Sequence, residues 1–196
     1  PITTGISWDD QIHYSNALST SYLFETQKTD TDIKFTDEAV RRAQGYEEPS
    51  LSHFDRAEIL EHARQLNGSY RSDIASGHVQ VNKHEEFVYT LSSIGYIPSA
   101  IGLWLARLLH FDFSSMIQFA RICNLFSYCL AIAIAIKVTP SKKGLFAFVG
   151  MLPTSIFLAS CFSYDAWLIS FIILGFAYFL RYAWGDFNEF TVRNIA

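Results

Sequence analysis

Residues 116–136 read MIQFARICNLFSYCLAIAIAI. This mostly apolar run of about twenty residues is long enough to cross the hydrocarbon of a bilayer as one helix. Two more apolar stretches follow it, Leu145 to Ser160 and Ala166 to Leu180, the second running on to Trp184 at an aromatic boundary. The middle stretch is shorter and carries Pro153, which predicts a kink whose freed backbone groups need neighbours. Three spans within 116–184 make the expected class all-α: polytopic membrane helices, a helical exterior loop domain and a juxtamembrane amphipathic helix.

The basic residues orient the spans. Lys137, Lys142 and Lys143 occupy the short turn between the first two, and Arg181 follows the third. The positive-inside rule assigns both ends to the cytoplasm. The Met116 end and the turn from Cys161 to Asp165 then face the exterior, on the same side as everything N-terminal to the spans.

Residues 91–111 contain Pro98 at a plausible first helical turn, then Ile101, Leu105, Leu108 and Leu109, with Arg107 and His110 interrupting. That stretch is short for a span and fits an amphipathic helix lying at the interface, a depth that suits Trp104. Residues 1–90 are different in kind. Up to Glu86 there are 15 acidic and 8 basic side chains, a net −7, whereas the remainder holds 4 and 7, a net +3. An acidic block joined to an apolar, weakly basic one reads as a polar domain fused to membrane spans. It offers no basic stripe for nucleic acid. Residues 185–196 read as a polar tail.

Within the acidic domain, Ser7 and Asp10 have the spacing of a capping box, predicting a helix from Trp8 to about Ser19 with Ile12, Tyr14, Ala17 and Leu18 on an apolar side. A short charged helix is expected over Asp37 to Gln44. Another is expected to start at Asp55 with Glu58 completing a box, to repeat Ile59, Ala63 and Leu66, and to stop at Asn67-Gly68. Ser69 to Glu86 shows no period and reads as loop. Cys123, Cys129 and Cys161 all lie in apolar runs, where thiols act as small hydrophobes. His53, His62, His78 and His84 lack ligand spacing.

Three constellations carry chemistry. Asp9 and Asp10 stand four and three residues before His13, so a helix brings carboxylates beside an imidazole. Such a group binds a divalent cation or works as a general base; it also fits a helix start, where acidic residues favour the dipole. Ser163-Tyr164-Asp165 lies at the outer end of a span, where an acidic residue is either a cap or a used group. Arg121 and Asn124 share a face of the first span, with Arg107 on the preceding helix. Arginine here either snorkels or grips a phosphate through its planar fork. No Gly-rich phosphate loop, nucleophile elbow or zinc motif is present.

Three stretches taken in order carry a resemblance: Trp8-Asp9-Asp10-Gln11-Ile12-His13-Tyr14; Tyr96-Ile97-Pro98-Ser99-Ala100-Ile101-Gly102 with Ala120-Arg121-Ile122-Cys123-Asn124-Leu125; and Leu152-Pro153 with Ala159-Ser160-Cys161-Phe162-Ser163-Tyr164-Asp165-Ala166. Together they resemble the bacterial membrane-protein family called domain of unknown function 2142, which looks like a branch of the C-type superfamily of multi-span, lipid-phosphate-sugar-dependent glycosyltransferases. The likeness covers most of Trp8 to Leu180 but not the stretch between Tyr22 and Glu86. Asp stands at position 10 where the family commonly has Glu, and Ile97-Pro98 replaces its usual Pro-Pro.

The resemblance implies an enzyme in the bacterial cell membrane moving a sugar from a polyprenyl-phosphate-type donor to a cell-envelope glycan or glycolipid acceptor on the exterior face. It implies Asp9 as catalytic base or metal ligand, Asp10 second, and Asp165 completing the site. His13, Arg121, Asn124 and Tyr164 are the expected substrate-binding residues, Arg121 on the donor phosphate, and Mg or Mn the expected cation at Asp9 and Asp10. The family's first membrane helix and later spans are expected outside Pro1–Ala196, leaving these residues inactive alone. The alternative is a non-catalytic scaffold or lipid-linked-glycan-handling component whose acidic loop binds a partner. A transporter ranks last, since no span carries a central charge.

Overall fold

The computed structural model describes residues 10–22, 27–43, 56–77, 79–81 and 94–184. In chain order these form α1 (Asp10–Ser21), β1 (Gln27–Thr29), α2 (Asp30–Ala43), α3 (Arg56–Ser76), β2 (Val79–Val81), α4 (Ile97–Leu108), α5 (Phe113–Val138), α6 (Lys143–Gly150), α7 (Pro153–Ala159) and α8 (Asp165–Trp184). Ser7, Asp9 and Asp55, and residues 185–196, lie outside the described residues.

Local chemistry explains the start of α2 in the polar region. Thr29 accepts the Asp32 amide at 3.1 Å through Oγ1, while Asp32 Oδ2 accepts the Thr29 amide at 2.8 Å. This reciprocal box opens α2 at Asp30, seven residues earlier than the charge pattern over Asp37 to Gln44 suggested. Asp73 on α3 receives both the amide and the hydroxyl of Thr31, so α3 anchors the first turn of α2. The expected stop at Asn67-Gly68 does not occur. Asn67 Oδ1 instead accepts the Ser114 amide at 2.9 Å, satisfying an orphan donor at the start of α5. With Asn67 so engaged, α3 continues to Ser76 and stops at Gly77, whose φ of +68° favours glycine. The stretch read as loop after Ser69 therefore contains helix to Ser76, then β2, which pairs antiparallel with β1 in the register Gln27 to Val81.

The apolar elements follow length and proline. α5 and α8 are each long and apolar enough to cross a membrane, and among the described residues they are two, not the three expected. Leu145 to Ser160 becomes α6 and α7, parted at Met151 and Leu152. Pro153 sits in the first turn of α7, where its missing N–H costs nothing, but it cannot continue α6. The freed Gly150 carbonyl accepts the Tyr128 hydroxyl at 2.8 Å, the neighbour the kink requires.

Buried side chains fall into three clusters along α5. The first joins Tyr14, Leu18, Phe35 and Tyr70 of the polar helices to Leu103, Phe113, Met116 and Phe162. The second holds Tyr128, Ile132, Ala159 and Ala166. The third packs Ala135 and Phe146 against Ala177. α8 therefore runs antiparallel to α5, and the end carrying Lys137, Lys142, Lys143 and Arg181 lies opposite the end carrying Asp165 and the polar helices. α4 lies across the start of α5 with almost no intervening side chain: a Cβ on Gly102 would stand 2.6 Å from Ala120 Cα. It buries Ser99, Ala100, Leu103 and Ala106 and exposes Ile97, Ile101, Trp104 and Leu108. This arrangement, with small residues inward and large apolar ones outward, suits a helix with lipid on one side.

Candidate functional site

At the polar end, α1, the start of α4 and the start of α8 meet in an aromatic cluster. The helical turn of α1 brings His13 next to Tyr96, with Nδ1 2.7 Å from the phenol oxygen, which also receives the Asn16 amide at 3.4 Å. The His13 ring lies 5.6 Å from that of Tyr164 in edge geometry, and Tyr164 stands 5.9 Å from Tyr96. Glycine permits this approach, since a Cβ on Gly95 would fall 2.7 Å from Tyr164 Cβ.

Asp165 follows directly. Ser163 Oγ accepts the Asp165 amide at 3.1 Å and donates to its Oδ2 at 2.9 Å, fixing the carboxylate at the start of α8. The turn beneath is held from α5. Asn124, 2% exposed, donates its amide to the carbonyls of Cys161 at 2.8 Å and Ser163 at 3.3 Å. Its side-chain amide nitrogen thus faces backbone, making Asn124 a positioning residue for the turn that carries Asp165. One turn away, the Arg121 guanidinium lies 5.5 Å from the centre of the Phe162 ring. Arg121 and Asn124 therefore both bear on the Cys161–Asp165 turn.

Under this cluster lies a buried polar pair. Tyr14, fully buried, donates to Asp32 Oδ1 at 2.5 Å, while Thr29 donates its amide and hydroxyl to Oδ2. Burial raises the Asp32 pKa above the usual carboxylate value, opposed by the bonds from Tyr14 and Thr29 and by Arg107. Burial, with the nearby Asp32 charge, raises the Tyr14 phenol well above its ordinary value. The pair joins α1, one residue after His13, to α2.

His13, Tyr164, Asp165, Arg121 and Asn124 thus lie at one end of the molecule, Arg121 and Asn124 against the turn that carries Tyr164 and Asp165. Asp9 and the side chain of Asp10 lie outside the described residues; the Asp10 backbone opens α1, one turn before His13. Tyr96 was missed. Its signal was position, two residues ahead of Pro98 in the stretch that starts α4. The side chains expected to hold a cation, those of Asp9 and Asp10, lie outside the described residues; among the described residues no three His, Cys, Asp or Glu side chains come together.

The sequence model of a family described as "Predicted membrane protein (DUF2142)" matches residues 2–195. The chain belongs to the DUF2142 family. Membrane location agrees with the two long apolar helices of this DUF2142 protein. The match spans the polar helices and the membrane helices alike, so the aromatic cluster and the Asp165 turn lie within one family unit. No curated protein and no solved structure matches this DUF2142 chain.

Proposed function

We propose that this DUF2142 protein is an integral-membrane glycosyltransferase acting at the exterior face. It would move a sugar from a polyprenyl-phosphate-type donor to a cell-envelope glycan or glycolipid. One observation carries the reading: His13, one turn from Asp10, lies in ring contact with Tyr164, the neighbour of Asp165, at the end of the molecule away from Lys137, Lys142 and Lys143. The resemblance to C-type glycosyltransferases, set out from the sequence, supplies the reaction.

In that reaction the acceptor hydroxyl oxygen bonds to the anomeric carbon as the bond from that carbon to the donor phosphate oxygen breaks. The electron pair leaves with the lipid phosphate, and the hydroxyl proton passes to a carboxylate. Asp9 is the assigned base and Asp10 the second choice, a role that needs a carboxylate within hydrogen-bond reach of the acceptor hydroxyl. Asp165 would fix the acceptor, and the His13 and Tyr164 rings would bind a sugar face. Arg121 would stabilise the charge growing on the leaving phosphate. A cation at Asp9 and Asp10 would supply the same stabilisation; no step here depends on it.

The competing reading, a scaffold whose acidic loop binds a partner, draws on the Ser163–Asp165 bonds, which suit a helix start by themselves. The test is sugar transfer from lipid-linked donors in membranes carrying the full-length protein with Asp9→Asn, Asp165→Asn or His13→Ala. We expect Asp9→Asn to lower transfer at least about 100-fold, the usual contribution of a general base. Full transfer in all three variants removes the enzyme assignment to this cluster.

A further inference from the structure

A second site lies at the other end of α4. A cleft of about 890 Å³ runs between the last turn of α1 and the outward face of α4, walled by Ile97, Ile101, Trp104 and Leu108 with Arg107 at its end. The guanidinium is fixed on two sides. Its Nη2 donates to the Ser21 carbonyl at 3.0 Å, and its carbon sits 3.9 Å from the centre of the Tyr22 ring. The remaining Nη1 is buried and has no hydrogen-bond partner among the described residues. A buried donor on a cation left without an acceptor is costly, which marks the place where a ligand oxygen belongs. Asp32 is close enough to feel Arg107, but its oxygens accept from Tyr14 and Thr29 and no described ion pair joins the two.

The apolar wall also continues. Ile97 and Ile101 line a further groove of about 550 Å³, with Ile122, Phe126, Leu130 and Phe171 of α5 and α8. A charged head position at Arg107 thus leads past Ile97 and Ile101 onto the two helices long enough to cross a membrane. Arg107 and Tyr96 are eleven residues apart on one helical stretch, about 16 Å at 1.5 Å per residue. The Arg107 end of the cleft is therefore separate from the aromatic cluster, while its wall begins at Ile97 beside Tyr96, and its use does not depend on the sugar-transfer reading.

We infer that this cleft binds an anionic phospholipid of the surrounding bilayer, its phosphodiester at the Arg107 guanidinium and an acyl chain along Ile97, Ile101 and Trp104. Guanidinium suits this task because its planar fork matches phosphate oxygens and is less strongly hydrated than ammonium. Apolar area on the wall adds affinity that a free anion cannot use.

The experiment uses the full-length protein in nanodiscs of phosphatidylcholine doped with brominated phosphatidylglycerol or brominated phosphatidylcholine. Quenching of Trp104 is isolated as the difference from Trp104→Phe. In the wild type, brominated phosphatidylglycerol is expected to quench Trp104 at about tenfold lower mole fraction, the effect of one charge-assisted contact. Arg107→Gln removes that preference, Arg181→Gln at the opposite end keeps it, and added inorganic phosphate does not displace the lipid. Equal quenching by the two lipids in the wild type overturns the proposal without needing any variant to fold. Loss of the preference in Arg181→Gln reduces it to bulk charge, and displacement by inorganic phosphate shows a simple anion site. Both results also overturn it. Neither result bears on sugar transfer, so the two readings fail separately.

Discussion

His13 Nδ1 lies 2.7 Å from the hydroxyl oxygen of Tyr96, across 83 residues of sequence. That contact fastens the polar helices to the membrane-side helices at the candidate site. Tyr96→Phe removes the oxygen and leaves the ring. It is expected to cost about 0.5–1.5 kcal/mol of stability, read as a lowered thermal midpoint in detergent. An unchanged midpoint would show the contact to be incidental.

Asn124 makes a stronger demand. Replacing it with Leu removes the donor that the Cys161 and Ser163 carbonyls share beneath the Asp165 turn, at a cost of about 1–3 kcal/mol. The thermal midpoint of Asn124→Leu should therefore fall further than that of Tyr96→Phe. The reverse order would refute the role given to Asn124.

Two glycines should respond with opposite signs. Gly68 lies inside α3 with nothing within 4 Å of an added Cβ, so Gly68→Ala should stabilise by about 0.5–1 kcal/mol through helix propensity. Gly102 meets Ala120 backbone at 2.6 Å, so Gly102→Val should destabilise by about 1–3 kcal/mol, the usual range for overpacking. Thermal denaturation of both variants checks the pair.

Tyr70, packed against Phe113 and bonded to the Met116 sulfur, has its phenol pushed up to about 12, chiefly by burial. Its folded value exceeds its unfolded value, so its contribution to stability is intact below the unfolded value near 10. That contribution is lost as pH rises from there towards 12. Stability should therefore decline across this alkaline window, and Tyr70→Phe should flatten the decline. An identical slope in the variant, followed by circular dichroism against pH, would remove Tyr70 as a source.

The apolar half was legible because length and hydropathy are nearly sufficient for a membrane helix, and α5 and α8 extend the expected runs by only a few residues. Leu145 to Ser160 was legible only as a kink; that it divides into α6 and α7 depends on Tyr128 reaching the Gly150 carbonyl, a contact no linear pattern shows. In the polar region the Thr29–Asp32 box is written in the sequence, but the denser charge after Asp37 gives the stronger linear signal. Asn67 misled because its amide serves α5 instead of ending α3, a tertiary use of a residue that usually signals a stop. Likewise, His13 and Asp165 were visible as chemistry-bearing residues. Tyr96 was not, because an aromatic at a helix start carries no functional spacing and gains meaning only from its partner on α1.

Gly95 and Gly102, which let one short stretch touch both Tyr164 and Ala120, impose a phase requirement on the gene. Inserting or deleting a single codon within α4 ahead of Gly102 would turn Gly102 about 100° around that helix relative to its first turn, which Gly95 precedes, given 3.6 residues per turn. A side chain would then wedge apart at least one of the two seams. This spacing of seven should tolerate substitution of the intervening side chains far better than any change in their number.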